Sequence, residues 1–337
     1  MSRPAVAGRI TAALGTSAVA AAVIAVTFAV MLALQFSTQE EVLRRDREAQ
    51  MRGVGQMLGS AFDEASRFAL SHAEAIGRRA AVRKAFAEAD RDELLALSKP
   101  TWDYLKAQAG VQIFGYHSAD LKYFLRVHRP DGPIDDISRS RPMVLAANRT
   151  GRAQSGLEIG VTGIVGARGI AVLREGDGLI GTMEVGLDLD PILERIKTLT
   201  NAEIAVVLGR SLTGLPEQGR APGSGPAVGD LIVAAATDEG RFVAMAREGR
   251  LALSRDPVVR DTVVDGRMTT VLVQPLVDFS GRLIGDVVAT RAFPEHQAEI
   301  RRIRTELTVT AVVGAILAFV ALAVLVGARR GRSEGGE

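Results

Sequence analysis

Charged side chains in and after the stretch Lys122–His128 could bind a small anion. This stretch predicts a strand, and alternation along it would place three residues on one face: Phe124, Arg126 and His128. A guanidinium group binds a carboxylate through two parallel hydrogen bonds. Arg126 could instead hold the following loop through Asp135 or Asp136. The residue types therefore indicate either a carboxylate-binding strand or a loop that is anchored by an ion pair.

A second pair of opposite charges lies further along the chain. Glu158 and Arg168 are equally far from Gly163, so a hairpin that turns at Gly163 would bring them face to face across adjacent strands. Such a cross-strand pair is a common stabilising device. We therefore expect a structural role for this pair, with a ligand contact as the alternative.

Metal binding and catalysis are not expected. Six side chains between His117 and Asp136 could ligate a metal: His117, Asp120, His128, Asp131, Asp135 and Asp136. Their spacing matches no compact ligand pattern, and the chain has no cysteine. It also lacks a nucleophile elbow, a phosphate loop and a metalloprotease helix. The sequence predicts no enzyme and no cofactor, and the net charge of +2 predicts no nucleic-acid partner.

Two apolar stretches bracket these residues. No charged residue occurs in Ile10–Gln39 or in Leu307–Ala328, and each stretch exceeds the roughly 20 residues that cross a bilayer. A cleaved signal peptide is the alternative for the first stretch, because Arg3 and Arg9 precede it. Its length exceeds that of a signal-peptide core, so an uncleaved membrane anchor is predicted.

Basic residues at both ends of the chain predict its orientation in the membrane. Arg3 and Arg9 precede the first span, and three arginines follow the second: Arg329, Arg330 and Arg332. Short positive flanks stay in the cytoplasm, so both termini are expected inside the inner membrane. The segment between the spans is then expected in the periplasm or outside the cell.

A long amphipathic helix is predicted after the first span. Apolar residues recur there at steps of three and four: Met51, Val54, Leu58, Ala61, Ala65, Phe68, His72 and Ala75. This seam could pack on its own domain or on a second copy of the chain in a homodimer.

The chain becomes rich in strands from Val111. Five strands are predicted, at 111–117, 122–128, 156–161, 165–174 and 179–187. Two helices are also predicted: one near 138–149, opened by Ser138 and closed at Gly151, and one that follows Asp190 and Pro191 and ends near Leu199.

A short internal repeat indicates two related modules. Gly178-Leu179-Ile180-Gly181 resembles Arg282-Leu283-Ile284-Gly285, and each copy precedes an apolar strand and then a helix. The predicted fold class is therefore α+β, with two tandem modules.

The strand-rich region resembles the double Cache family of extracytoplasmic sensor domains, type 3. The resemblance is carried by ordered motifs: Phe124 to Pro130, Asp135-Asp136-Ile137-Ser138, Arg141, Asn148, Gly156 to Gly160, Gly163, Arg168 and Ile180-Gly181-x-x-Glu184-x-Gly186. It implies PAS-like modules on a long N-terminal helix, flanked by two transmembrane helices.

The same resemblance implies a small-molecule pocket in the membrane-distal module. Arg126 and His128 are the first candidate contacts. The full set of candidates is Tyr116, Phe124, Arg126, His128, Asp135, Asp136, Arg141, Arg168 and Glu184.

The combined prediction is a membrane-anchored small-molecule sensor. Its segments are a cytoplasmic N-terminus at 1–11, transmembrane helices at 12–35 and 306–328, helices at 36–100, a distal module at 101–199, a proximal module at 200–305 and a cytoplasmic tail at 329–337. The short tail predicts output through a separate partner, such as a histidine kinase or a chemoreceptor. A ligand-free structural module of a membrane complex is the alternative.

Overall fold

The structure is a computed structural model that describes residues 4–160, 163–215, 225–264 and 266–334. It divides into two compact units. One comprises the terminal segments up to Arg47 and from Phe293, and the other comprises Glu48–Ala292. Helices and antiparallel sheets both occur, so the predicted α+β class with two modules is confirmed.

Eight helices are described, and helices form the two ends of the described chain. They are α1 (Pro4–Gly77), α2 (Ala80–Ala87), α3 (Arg91–Ala109), α4 (Pro142–Thr150), α5 (Asp190–Thr200), α6 (Arg210–Thr213), α7 (Glu239–Arg247) and α8 (Pro294–Glu334).

The strands form two separate sheets. They are β1 (Val111–Ser118), β2 (Tyr123–Arg126), β3 (Gln154–Ile159), β4 (Val165–Glu175), β5 (Gly178–Asp188), β6 (Glu203–Gly209), β7 (Ala227–Val228), β8 (Leu231–Ala236), β9 (Val258–Val264), β10 (Arg267–Val277) and β11 (Leu283–Ala292).

The terminal unit contains the apolar parts of α1 and α8. Both helices are long and apolar enough to cross a membrane, and their apolar side chains are exposed in the described part. The imidazole Nε2 of His296 lies 3.2 Å from Asp46 Oδ2, and the guanidinium of Arg304 lies over the Phe36 ring. Residues 1–3 and 335–337, the ends of the two predicted cytoplasmic segments, lie outside the described residues.

The seam of α1 is buried within its own chain. Met51, Val54, Leu58, Ala61 and Ala65 are buried as the spacing predicts. Beyond Ala65 the prediction is wrong by one residue, because the buried positions become Ala69, Ala73 and Ile76. A straight helix has 3.6 residues per turn, so its buried stripe drifts away from a seven-residue repeat.

The distal sheet has the strand order β2-β1-β5-β4-β3, and all neighbouring strands are antiparallel. One face packs on α1, α2 and α3 through a core that includes Phe86, Leu105 and Phe114. The other face is partly covered by α4, through Met143 and Val144. The sheet therefore has a helix-packed face and a second face that α4 only partly covers.

Both predicted helices of the distal module are present. α5 starts at Asp190 and ends before Asn201, which adopts a left-handed conformation. α4 ends before Gly151 as predicted, but it begins at Pro142 rather than Ser138. The backbone N–H of Ser138 donates instead to Asp136 Oδ1 in a turn, and Pro142 suits the first helical position.

The proximal sheet has the order β7-β8-β6-β11-β10-β9. Its β10–β11 hairpin matches the β4–β5 hairpin of the distal sheet. In each hairpin a β-bulge shifts the register of strand pairing. The shift lies between the successive residues Leu173 and Arg174 in β4, and between Leu276 and Val277 in β10. Two hairpins with a bulge at the same place before the turn support the internal repeat.

Asp286 is a buried carboxylate in the proximal sheet, with 1% of its surface exposed. Its Oδ2 accepts a hydrogen bond from Ser254 N–H at 2.8 Å, whereas Oδ1 accepts none from the described residues. Burial raises the pKa of Asp286 from 3.8 to about 6, although the Ser254 bond acts in the opposite direction. The folded chain therefore holds this proton more tightly than the unfolded chain does.

We expect Asp286→Asn to remove a pH dependence of stability. A raised carboxyl pKa contributes stability below pH 3.8 that is lost as pH rises through about 6. At pH 8 the variant should be more stable than the wild type by about 1–2 kcal/mol, because no buried carboxylate has to ionise. Denaturant titrations of the full chain in nanodiscs at several pH values would measure this. Asp230→Asn, which changes an exposed carboxylate, should keep the wild-type slope between pH 5 and 8, and the same slope in Asp286→Asn would contradict the prediction.

Candidate ligand-binding site

A pocket of about 250 Å³ lies on the face of the distal sheet that does not pack on α1. β1, β2 and β4 form its floor, and the loop after β2 and the start of α4 form its walls. The lining residues are Ile113, Tyr123, Arg126, His128, Arg129, Asp135, Ile137, Arg141, Gly160 and Arg168. Five of the nine residues predicted as ligand contacts are among them: Arg126, His128, Asp135, Arg141 and Arg168.

Two arginines and two glutamates form a buried cluster beneath the pocket. Arg141 donates to Glu158 Oε2 from Nε at 3.0 Å and from Nη2 at 2.8 Å. It also donates to Glu184 from Nη1 at 3.0 Å and from Nη2 at 2.5 Å. Arg168 Nη1 donates to Glu184 Oε1 at 2.7 Å. The four side chains are at most 4% exposed, so their charges compensate one another inside the protein.

Glu184 is the centre of this cluster. Burial would raise the pKa of its carboxyl, but Arg141 and Arg168 outweigh burial and hold the pKa well below the ordinary value. His117 Nε2 lies 3.3 Å from Glu184 Oε2, and the Tyr123 hydroxyl donates to the same oxygen at 3.5 Å. Burial lowers the pKa of His117 despite this carboxylate, which favours its neutral form. The cluster therefore remains ionised without a charge on the histidine.

Arg126 anchors the loop that forms the pocket wall. Its Nη2 donates to Asp135 Oδ1 at 2.6 Å, and its Nη1 donates to the carbonyl of Pro133. The guanidinium carbon lies 3.7 Å from the centroid of the Tyr123 ring. The anchoring contact considered in the sequence is thus present, and the same guanidinium also lines the pocket.

Arg91 holds the same loop from outside the strand region. It donates to the carbonyls of Phe124 at 2.7 Å, Pro130 at 2.5 Å and Gly132 at 3.3 Å. The sequence gives no signal for this role, because 33 to 41 positions separate donor and acceptors. Two arginines therefore position the pocket wall, and one of them does so entirely through backbone carbonyls.

A β-bulge changes which residues of β2 face the pocket. The pairs Tyr116–Leu125 and His117–Tyr123 leave Phe124 without a partner in β1. Strict alternation of Phe124, Arg126 and His128 is therefore wrong, since an extra residue shifts the pattern. Tyr123 and Arg126 both face the pocket, whereas Phe124 packs on Phe86 on the helix-packed face.

Four further candidate contacts take other positions. Tyr116 is buried on the helix-packed face, where its hydroxyl shares a hydrogen bond of 2.7 Å with Ser98. This burial raises the pKa of Tyr116 to about 12. Asp136 is exposed and caps the turn at Ser138, and Glu184 lies below the lining. Phe124 and Tyr116 therefore lie on the other side of the sheet from the pocket.

His128 stands at the pocket wall beside β1. Its Nδ1 lies 3.1 Å from the Phe114 carbonyl and 3.3 Å from the Phe114 nitrogen. Burial lowers the pKa of His128, which favours a neutral ring. In a neutral ring, Nε2 is an acceptor if Nδ1 carries the N–H proton and a donor if it does not.

Glu158 and Arg168 are close, but they are not directly opposite. Glu158 pairs with Gly166, and Arg168 pairs with Gly156. The predicted register is wrong because the turn is closed by Gly160 N–H donating to the Ile164 carbonyl, before the expected centre at Gly163. Arg168 Nε still lies 3.7 Å from Glu158 Oε2, because long side chains at diagonal positions on adjacent strands can reach each other.

Possible metal ligands do not cluster in the described part of the chain. No group of three histidine, aspartate or glutamate side chains there could hold a metal ion. His117 and His128, considered for zinc, are engaged with Thr182 and with the Phe114 backbone respectively. The acidic groups of the site contact arginines, which is the pattern of a buried ion-pair network.

Comparison with solved structures finds several similar chains. The periplasmic domain of Vibrio cholerae LuxQ shares 15% identity over 72% of this chain and 99% of that one, with a TM-score of 0.44. The V. cholerae histidine kinase DctB sensor domain shares 11% identity over 76% of this chain and 99% of that one, with a TM-score of 0.45. A third similar structure is the ligand-binding domain of the Pseudomonas fluorescens chemoreceptor CtaA, solved with L-isoleucine. It shares 12% identity over 76% of this chain and 98% of that one, with a TM-score of 0.42.

No curated protein matches the chain significantly. The family profile described as the double sensory domain of two-component sensor kinases matches residues 44–291, which include both sheets and most of the helices that cover them. The chain therefore belongs to the double Cache type 3 family of sensor domains.

Proposed function

We propose that the chain is a membrane-anchored sensor that binds a small carboxylate-bearing molecule in the distal pocket. The observation that carries the proposal is the charge of the pocket. Its lining contains four guanidinium groups and one carboxylate: Arg126, Arg129, Arg141, Arg168 and Asp135. Glu158 and Glu184 lie beneath and compensate Arg141 and Arg168. One guanidinium, that of the exposed Arg129, remains in excess, which favours an anionic ligand.

A donor at the pocket floor supports this ligand chemistry. Arg168 Nε is buried and makes no hydrogen bond with the described residues, since Glu158 lies beyond hydrogen-bond distance. Buried polar groups are normally hydrogen-bonded, so an acceptor at this position would remove an energetic cost. A ligand carboxylate between Arg168, Arg126 and Arg129 would supply one.

The proposal places the sensor domain outside the inner membrane, with α1 and α8 crossing the membrane and both termini in the cytoplasm. The flanking arginines support this orientation: Arg3 and Arg9 at one end, and Arg329, Arg330 and Arg332 at the other. The family description supports signalling to a histidine kinase, with a chemoreceptor as the related possibility. Binding would act through different ligand affinities of two states of the domain.

Small carboxylates such as pyruvate and succinate should stabilise the full chain in nanodiscs, whereas amines of similar size should not. Arg126→Gln and Arg129→Gln should each weaken carboxylate binding about 10-fold or more, since each removes a charge-assisted hydrogen bond. Arg83→Gln, in α2 on the helix-packed side of the distal sheet, is the matched control and should bind as the wild type does. Thermal shift and calorimetric titration would measure both effects.

Asp135→Asn separates the two roles of Arg126. If Arg126 only anchors the loop, Asp135→Asn should also reduce binding, because both variants break the same ion pair. If Arg126 also contacts the ligand, Asp135→Asn should keep or increase the affinity, because the guanidinium loses its competing carboxylate.

A ligand-free structural module of a membrane complex is the second candidate function. The 2.6 Å contact between Arg126 and Asp135 favours it, because an arginine that is already paired has less need of a ligand. Absence of stabilisation by every carboxylate, together with wild-type partner binding by Arg126→Gln, would support this candidate against the sensor proposal.

A further inference from the structure

The tip of the β10–β11 hairpin connects the proximal sheet to the distal module. This tip, residues 278–281, carries Phe279, whose backbone N–H donates to the Leu157 carbonyl of β3 at 2.9 Å. The Phe279 side chain packs against a buried cluster on the pocket side of the distal sheet. The members of this cluster are Tyr123, Ile137, Met143, Val144, Ala147 and Ile170.

A glycine in β3, Gly156, leaves the space that this tip occupies. A side chain at Gly156 would place its Cβ 2.8 Å from Phe279 Cβ and 2.9 Å from Phe279 Cα. Gly156 also has a φ of +145°, which side-chain-bearing residues rarely adopt. The two modules therefore meet here in direct contact with the backbone of β3, and a shift of β3 would have to move Phe279.

The Asp278 carboxylate accepts four hydrogen bonds at the tip. Asp278 Oδ1 accepts hydrogen bonds from Ser280 N–H at 2.9 Å and Ser280 Oγ at 2.6 Å. It also accepts one from Arg282 N–H at 3.1 Å, while Asp278 Oδ2 accepts one from Arg282 Nε at 3.1 Å. These bonds join the tip to the start of β11, which begins at Leu283, directly after Arg282.

The pocket and the Phe279 contact share residues. Tyr123 and Ile137 line the pocket and also belong to the cluster that Phe279 contacts. Glu158, the neighbour of Leu157, accepts from Arg141 and from the Met143 N–H at the start of α4. Arg141 shares Glu184 with Arg168, so a shift of Arg168 on ligand binding would displace Arg141 and act on both sides of Phe279, through β3 and through α4.

We propose that Phe279 is a positioning residue that couples the distal pocket to β11. β11 ends at Ala292, and the chain continues into α8 from Pro294, so the hairpin leads towards the second apolar helix. This route differs from one along α1, which packs on the helix-packed face of the distal sheet. The inference rests on the proposed function, because it takes the distal pocket as the site that is sensed.

A double-mutant cycle on the full chain in nanodiscs tests the coupling without any ligand. Glu158→Gln perturbs the pocket side, and amide hydrogen exchange is measured in β11. With Phe279 present, Glu158→Gln should change the exchange rate of β11 by at least about 5-fold, the lower end of typical coupling between sites. In a Phe279→Ala background the same change should leave the β11 rate unaltered.

Phe279→Leu keeps an apolar side chain at the contact, and it should restore most of the response to Glu158→Gln. This variant also serves if Phe279→Ala does not fold. An equal response of β11 in the wild type, Phe279→Leu and Phe279→Ala backgrounds would overturn the coupling. Because no ligand is used, failure of the coupling is distinguishable from failure of carboxylate binding, which the thermal-shift experiment measures separately.

Discussion

Replacing Glu184 with glutamine should lower the free energy of unfolding by about 3–5 kcal/mol, because it leaves a buried positive charge uncompensated. Glu184 is fully buried and accepts hydrogen bonds from Arg141 and Arg168. Without its charge, the two guanidinium groups share only Glu158. Denaturant titration of the full chain in nanodiscs would measure the loss, with the fluorescence of the single tryptophan, Trp102, as the signal.

The matched control for Glu184→Gln is Asp135→Asn, which removes one carboxylate from an arginine at the pocket wall. The Asp135 side chain is 45% exposed, so water can replace its contact with Arg126. We expect a loss of at most about 1 kcal/mol, typical of exposed ion pairs. Equal losses for the two variants would mean that burial does not govern the energetics of this site.

The pH dependence of the same cluster follows from the lowered pKa of Glu184. A lowered carboxyl pKa contributes stability above the unfolded value, and this stability is lost as pH falls through the folded value. The sign is opposite to that at Asp286, whose raised pKa removes stability as pH rises. Glu184 in the distal cluster therefore makes the folded state more stable at neutral pH than at acidic pH, whereas Asp286 in the proximal sheet makes it more stable at acidic pH.

Local signals in the sequence were sufficient for the main elements. Gly151 ends α4, and Asp190 with Pro191 begins α5, because these residues act through their own backbone conformation. The repeated Leu-Ile-Gly segments identify two hairpins, and the matching bulges support their equivalence. These features depend on neighbouring residues, which is why they can be predicted without a tertiary structure.

Features that depend on pairing between distant segments could not be predicted. The bulge at Phe124 exists because of the register between β1 and β2, and alternation within β2 alone gives the wrong face. The contacts of Arg91 and Phe279 join segments that lie far apart in the chain. Arg141, Arg168 and Glu184 were all identified as candidates by resemblance, but the pairing of Glu184 with both arginines became evident only when the strands were placed side by side.

Replacing Gly169 with alanine should separate α1 from β4 and lower the free energy of unfolding by about 3 kcal/mol or more. A Cβ at Gly169 would lie 2.0 Å from Leu70 N and 2.3 Å from Leu70 Cα. Both are backbone atoms of a helix, so rotation of a side chain cannot relieve the contact. Denaturant titration followed by Trp102 fluorescence would measure the loss.

Gly59→Ala in α1 is the matched control, since an added Cβ there meets nothing within 4 Å. It should raise the stability by about 0.5–1 kcal/mol, because alanine favours a helix more than glycine does. Gly169 follows Arg168 in β4, so one residue faces the pocket while the next touches α1. Gly169→Ala should therefore also weaken binding of the carboxylates that stabilise the wild type. A fully stable variant with unchanged binding would show that β4 and α1 do not need their close contact.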